Sequence, residues 1–333
     1  MTTLITGGTG FIGQHVVRLL CQQGECVHLL VRSAKNLCVP SGDNVKLCFG
    51  DLTDLQSVQR AIQGCGRVIH LAALAKVWVR NPSVFERVNV YGTRNVLAAA
   101  MRVDVEKLVF VSSCSAIVLS PAAPPDERAI TQPQHFNTEY ARSKYMAEKE
   151  VELASSHGPN IVIVYPSRVY GPGLLSEGNA ATKVFKMHLR GRFPFMLGDG
   201  RTVANWAYVE DVAQGIVDAL EFGRPGERYF LGGENASLKH VFELIDMVAR
   251  RKHRHIHVSK SLALKLARFE EWKAAWLGIA PLITQGWVEA LSQSSPLACM
   301  KAVREIGYRV TPMQAGLEKT VRWLQEMEMA HGG

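Results

Sequence analysis

The chain has 333 residues, 47% apolar and 20% charged, with 28 Gly and 14 Pro, a composition that excludes disordered, collagen-like and coiled-coil proteins. Its 38 Lys and Arg against 30 Asp and Glu leave a formal charge of +8, which permits attraction to phosphorylated small molecules, nucleic acid or anionic lipid and proves none of them. Seven cysteines (Cys21, Cys26, Cys38, Cys48, Cys65, Cys114 and Cys299) form an odd set without a CxxC pair or zinc-ligand spacing. They read as reduced thiols, and no metal site is expected. Met1 runs almost directly into a glycine motif, and no stretch reaches the ~18 apolar residues of a membrane span. The expected location is cytoplasmic, with peripheral membrane association left open.

Up to residue 170, short β-branched runs alternate with amphipathic helical stretches, the pattern of a parallel sheet wound by crossover helices. Strands are predicted at Thr3–Ile5, Cys26–Val31, Val45–Phe49, Arg67–Leu71, Lys107–Val111 and Ile161–Tyr165. Helices are predicted around Val16–Cys21, Leu55–Ile62, Val84–Ala100 and Tyr140–Ser155. This is an α/β, Rossmann-type doubly wound order. After Gly171-Pro172-Gly173 the alternation fades. A helix at Val209–Glu221, a strand at Arg228–Leu231, a helix at Leu238–Ala249, the basic run Arg250–His255 and a Trp-bearing helix at Leu262–Leu277 follow. The expected division is a dinucleotide-binding domain over 1–170, with returns at 204–222 and 228–231, and a smaller α/β substrate domain over 171–333.

Thr6-Gly7-Gly8-Thr9-Gly10-Phe11-Ile12-Gly13 follows the first strand and opens the first helix, the context in which a GxxGxxG pattern is informative. Gly7 serves the tight turn, Gly10 lets backbone approach a pyrophosphate, and Gly13 allows close helix–sheet packing with the helix N-terminus facing the anion. Thr9, Phe11 and Ile12 complete the cofactor loop. At the end of strand two, where an NAD-selecting protein places Asp or Glu against the ribose 2′-hydroxyl, stand Arg32, Ser33 and Lys35. A guanidinium pairs with a 2′-phosphate that a carboxylate would repel, so NADP(H) is predicted, with NAD(H) as the alternative. Asp51 and Leu52, after strand three, are placed to receive the adenine. Ala72 and Ala73, after strand four, let the cofactor pass close to the backbone.

Tyr140-Ala141-Arg142-Ser143-Lys144 puts a phenol and an ammonium on one helix face, where the cation favours the phenolate and Tyr140 can exchange a proton with a substrate oxygen. Strand five ends in Ser112-Ser113, at the carboxyl edge where ligands of such sheets bind. In this order and spacing, TGGTGFIG, the Ser-Ser strand end, YARSK, YPSRVYGPG and YVEDVA resemble the extended short-chain dehydrogenase/reductase family, the NAD-dependent epimerase/dehydratase superfamily. In motifs they are closest to its dihydroflavonol reductase and 3β-hydroxysteroid dehydrogenase branch. The resemblance implies that Ser113 orients the substrate oxygen, with Ser112 and Ser115 as competitors. It makes Tyr140 the acid/base and gives Lys144 two tasks, tuning Tyr140 and holding the nicotinamide ribose. It further implies that Pro166 and Ser167 meet the nicotinamide end, that Asn89 supports the site, and that two long helices form a homodimer.

Two enzymatic readings stand. One is an NADP(H)-dependent alcohol dehydrogenase or ketone reductase acting on an apolar, sterol- or flavonoid-like small molecule. The other is a nucleotide-sugar epimerase or dehydratase. Cys114-Ser115 replaces the Asp-Glu pair of the dehydratases, and Ala204 stands where many nucleotide-sugar enzymes carry an Arg. Asn179 and the candidate phosphate ligands Arg190, Arg192 and Arg201 argue the other way. The apolar residues from Leu262 to Leu277 read as core, as a lid, or with Arg250–Arg254 as a membrane-surface contact. A non-catalytic cofactor-binding protein is a third, lesser reading, and nucleic-acid binding has only net charge behind it.

Overall fold

The computed structural model describes residues 1–33, 44–156, 158–193 and 195–331. Lys35 and Cys38 lie outside them. In chain order the first elements are β1 (Thr2–Thr6), α1 (Phe11–Gln22), β2 (Cys26–Val31), β3 (Val45–Phe49), α2 (Leu55–Ala61) and β4 (Arg67–His70). The helical run α3 is α-helical at Ser83–Phe85 and Gly92–Arg102, with the π-helical stretch Glu86–Tyr91 between them. β5 (Lys107–Val111), α4 (Glu139–Ala154) and β6 (Asn160–Pro166) follow. Thr138 caps α4 by accepting the Ala141 N–H at 3.1 Å, which starts the helix one residue before Tyr140.

The remaining elements are β7 (Arg168–Tyr170), α5 (Ala180–Leu189), β8 (Phe195–Leu197), β9 (Val203–Tyr208), α6 (Val209–Phe222), β10 (Arg228–Leu231), β11 (Glu234–Ser237) and α7 (Leu238–Ala249). β12 (Ile256–Val258), α8 (Lys260–Leu277), α9 (Gln285–Ser292), α10 (Met300–Ile306) and α11 (Met313–His331) close the chain. The principal sheet has seven parallel strands in the order β10-β6-β5-β4-β1-β2-β3, the doubly wound arrangement expected, with β10 as a seventh strand on the outer edge of β6. Side chains alternate between its faces. Val109 and Val111 join Val16, Val17 and Leu20 of α1 and Ile216 of α6; Leu108 and Phe110 join Val96 of α3 and Ala147 and Val151 of α4.

A second, smaller layer holds the sheet β7-β9-β11 and the pair β8-β12. Its core is aromatic: Tyr170, Phe185, Trp206, Tyr208 and Phe242 gather with Leu317 and Leu324 of α11. The basic run after α7 is strapped to α5. The Asp246 carboxylate accepts from the His188 and His253 rings at 2.7 Å each, and Arg251 donates to the Leu189 carbonyl at 2.9 Å.

α8 reverses the usual helix pattern. Ala263, Ala267 and Ala274 face inward, while Leu262, Leu266, Phe269, Trp272, Trp276 and Leu277 are each at least half exposed. Core packing therefore accounts for Leu264 and Ala267 of this stripe but not for its large outward side chains. Small residues admit the close approach to Val288 of α9, and the large ones are left facing outward.

Candidate active site

The loop after β1 is shaped by what its glycines exclude. Gly7 has φ +77°, and a Cβ there would stand 2.6 Å from the Ala72 backbone nitrogen. A Cβ on Gly13 would collide with the Gly7 carbonyl oxygen and lie 2.6 Å from the Gly8 Cα. Gly10 precedes α1 in extended conformation and donates its N–H to Gly7 O at 3.0 Å. The first turn of α1 carries no acidic residue, so its N-terminus keeps its positive end for an anion. Thr9 is half-buried and its carbonyl accepts from Gln14. Phe11 is buried and Ile12 partly so, both packed on the core, which leaves their backbone rather than their side chains to face a ligand.

At the neighbouring strand ends Arg32 is exposed and lies within electrostatic reach of Asp51, as does Arg87. The Asp51 carboxyl is held below its ordinary range chiefly by the Thr53 N–H, at 2.8 Å, and the Thr53 hydroxyl, at 2.7 Å. Leu52 is buried under Gly92. Ala72 and Ala73 are half-buried, and the Ala72 N–H donates to Thr6 Oγ1 at 3.3 Å.

β5 separates the competing serines. Ser112 is buried and donates to Glu148 Oε2 at 3.1 Å, turned away from the cleft. Ser113 is half-buried and within interacting reach of the Tyr140 phenol, and its Oγ lies 2.9 Å from Ser115 Oγ. Burial pushes the Tyr140 phenol up and only Ser113 works against it, a shift opposite in sign to the one read from the Tyr-Lys spacing. Lys144 is buried, donates to the Val111 carbonyl at 2.7 Å and stands 4.4 Å from the Phe110 ring centroid. Desolvation pulls it down to about 7, opposed by the Glu148 carboxylate one turn along. The Cys114 thiol is pushed far up by burial, consistent with a filler rather than a nucleophile.

Asn89 lies in the π-helical stretch of α3 and is buried beside this site. Its amide donates to Ser143 Oγ at 2.8 Å, and its oxygen accepts the Leu74 N–H at 2.6 Å, fastening the segment after β4 to α4. Pro166 ends β6, and the Ser167 N–H donates to Leu231 O at 3.3 Å. Ser167 Oγ is buried without a hydrogen-bond partner among the described residues, an arrangement that calls for a ligand. With the glycine cradle, this orphaned hydroxyl makes the residues present a fit for a dinucleotide.

Of the candidate phosphate ligands, Arg190 is paired with Glu328 at 2.6 Å and Arg201 lies 3.8 Å from Asp199, while Arg192 is exposed. Ala204 is buried. Asn179 is buried and its amide donates to Gly171 and Leu174, but its Oδ1 has no partner among the described residues. Two residues outside the predicted set belong to the site's surroundings: Glu148, behind Lys144, and Arg168, beside Ser167.

The model of the NAD dependent epimerase/dehydratase family matches residues 3–232. A putative dihydroflavonol 4-reductase of Synechocystis sp. is 32% identical over 326 residues, covering 96% of this chain and 94% of the relative. A 3-beta-hydroxysteroid dehydrogenase of Mycolicibacterium neoaurum is 27% identical, over 92% of this chain and 86% of the relative. Among solved structures, gox2253 superposes with a TM-score of 0.82 at 32% identity, covering 98% of each chain.

Proposed function

The chain belongs to the NAD dependent epimerase/dehydratase family, as an NAD(P)-dependent enzyme of the extended short-chain dehydrogenase/reductase type, and from that premise we propose that it interconverts a secondary alcohol with a ketone or aldehyde, using NADP(H), on a substrate with an apolar body. The observation that carries this reading is the placing of Ser113 within interacting reach of the Tyr140 phenol at the carboxyl edge of β5, with Lys144 buried one turn further along α4. The cofactor, when bound in the Gly7–Gly13 cradle, supplies or accepts the hydride. Ser113 and Tyr140 hold the reacting oxygen. The raised phenol keeps its proton at neutral pH, the form that donates to a developing alkoxide, while Lys144, turned to the Val111 carbonyl, is accompanied by the Glu148 carboxylate. Arg32 would select the 2′-phosphate. The names of the two curated relatives support a reductase or dehydrogenase of apolar ring systems.

One observation favours the nucleotide-sugar reading, the unpartnered Asn179 Oδ1 behind the Gly171-Pro172-Gly173 loop. An NADP(H)-coupled screen of hydroxysteroids, flavonoid-like ketones, aldehydes and nucleotide sugars separates the two. Net change in the reduced-nicotinamide absorbance with the first three supports the oxidoreductase; conversion of a UDP-sugar without net change establishes the epimerase.

Two associations complete the proposal. The faces of α3 and α4 expose Tyr91, Met101, Met146 and Leu153 around the Arg94–Glu150 pair, the surface a homodimer through these helices would cover. The outward Trp272 and Trp276 of α8, with exposed Lys265 and Arg268, suit a peripheral contact with anionic lipid. No helix among the described residues is long and apolar enough to cross a membrane. Light scattering tests the first association, and liposome flotation tests the second.

A further inference from the structure

A guanidinium is costly to bury unless an anion accompanies it. Arg67, with 9% of its side chain exposed, meets that condition twice, at 2.5 Å from Glu221 and 2.7 Å from Glu25. Arg228 does so with Glu152 at 2.6 Å and Glu148 at 3.6 Å. Arg168, first residue of β7, does not. Its Nη2 donates to the Ala290 carbonyl at 3.3 Å, and its guanidinium carbon stands 5.7 Å from the Trp206 ring centroid. It forms no ion pair with a carboxylate of the described residues, and burial lowers its pKa with no acidic group opposing. Arg168 is half-buried, and among the described residues its five N–H donors meet one neutral acceptor and an aromatic face, which leaves the others open to a solute in the cleft.

The place of this residue ties it to the reacting centre. It follows Ser167, whose hydroxyl is the orphan described above. β6, which leads to it, runs beside β5 with Val164 opposite Val111; the Ser112 N–H donates to Val164 O, and Cys114 Sγ lies 3.4 Å from Tyr165 O. Its other wall is α9, where Gly286 packs against the Asn137 carbonyl, just ahead of the capped start of α4 and Tyr140. The chain leaves the sheet next to Ser113 and presents the unpaired cation between that edge and α9.

We propose that Arg168 is the counter-ion for an anionic group of the substrate, a carboxylate or a phosphate carried by the same molecule whose oxygen meets Ser113 and Tyr140. This rests on the reading of Ser113 and Tyr140 as the reacting-oxygen site, and it narrows the substrate class from an apolar body to an apolar body with an acidic group. The planar fork of Arg matches both anions bidentately, which a Lys at this position would not.

The test uses matched compounds with NADP(H): hydroxy or keto acids against their methyl esters, and phosphate monoesters against their parent alcohols. The wild-type enzyme is expected to prefer the acid of one pair. Arg168→Gln should raise KM for that acid about 10- to 100-fold with kcat little changed, leave the neutral partner unaffected, and be rescued in part by Arg168→Lys. Which pair responds tells carboxylate from phosphate. Independently of turnover, inorganic phosphate and acetate are titrated into the NADPH complex. At least one should raise the Tm of wild type and neither that of Arg168→Gln, which without ligand should melt no lower than wild type because it sheds an unpaired charge. Equal handling of acid and neutral partner, equal loss of both in the variant, or equal response of both proteins to the anions overturns the proposal. Anion binding that depends on Arg168, with no turnover of any compound, refutes the proposed reaction and leaves the anion site standing.

Discussion

Replacing Arg32 gives a measurement that needs no substrate. The side chain closes β2 in solvent, so its attraction for a phosphate about 4 Å away lies between about 1 kcal/mol in water and about 4 kcal/mol at the effective dielectric of a protein surface. Exposure favours the lower half of that range. Asp51 stands across the ends of β2 and β3 within reach of the same cation, and its ionised carboxylate would repel the phosphate once Arg32 is gone. Arg32→Ala should therefore weaken NADPH roughly 10- to 100-fold, about 1.4–2.8 kcal/mol, while NADH changes by less than about threefold. Arg32→Asp should invert the preference, and Asp51→Asn should move it the other way by strengthening NADPH. The assay is a fluorescence titration with each nucleotide, repeated at higher ionic strength, where the NADPH advantage should shrink. An NADH-to-NADPH affinity ratio that is the same in wild type and Arg32→Ala would refute the reasoning.

Tyr140→Phe keeps the ring and removes the proton; turnover should fall about 10²- to 10⁴-fold while NADPH binding stays within about twofold, and retained turnover removes Tyr140 from the mechanism. Gly13→Ala forces a Cβ into the backbone of Gly7 and Gly8, so nucleotide affinity should drop roughly tenfold or more with a lowered Tm; wild-type binding would show that the loop is not the cradle. His70 is buried between Thr6 and Thr93, at 2.6 and 2.9 Å, and desolvation, aided by Lys144, lowers it from 6.5 to about 3. The unfolded chain binds a proton below 6.5 that the folded protein refuses, so stability is full above that pH and should decline by about 2 kcal/mol near pH 5. Urea midpoints across this window should show a shallower decline in His70→Gln, and identical slopes would contradict the assignment.

The parts of the site legible in the sequence are those set by neighbours along the chain. Gly7, Gly10 and Gly13 act within one turn, and Tyr140 and Lys144 share a helix face by spacing alone, so both were readable. The direction of the Lys144 ammonium was not, because the Val111 carbonyl and the Phe110 ring that receive it arrive from β5. The choice of Ser113 over Ser112 rested on the resemblance alone, because the Glu148 carboxylate that takes the Ser112 hydroxyl arrives from α4. The helical periodicity of α8 was visible, but the side that packs inward is decided by how closely Val288 approaches, and Ala263, Ala267 and Ala274 won over the tryptophans. Arg168 was overlooked because a guanidinium declares itself only when its surroundings lack a carboxylate, a property of distances rather than of order.

The outermost strand of the principal sheet also bears on how the chain is made. β6 is complete at Pro166, yet the strand that pairs with its free edge, β10, begins at Arg228, after β7, α5, β8, β9 and α6 have been laid down. During synthesis the edge of β6 stays open while these segments emerge, and an unpaired apolar edge is a template for any other strand. A nascent chain halted before Leu231 should therefore be protease-sensitive and prone to associate, even though its glycine loop and Tyr140 have both left the ribosome. Competence to bind nucleotide would then appear late and abruptly, set by the arrival of β10 rather than by the synthesis of the residues that touch the ligand.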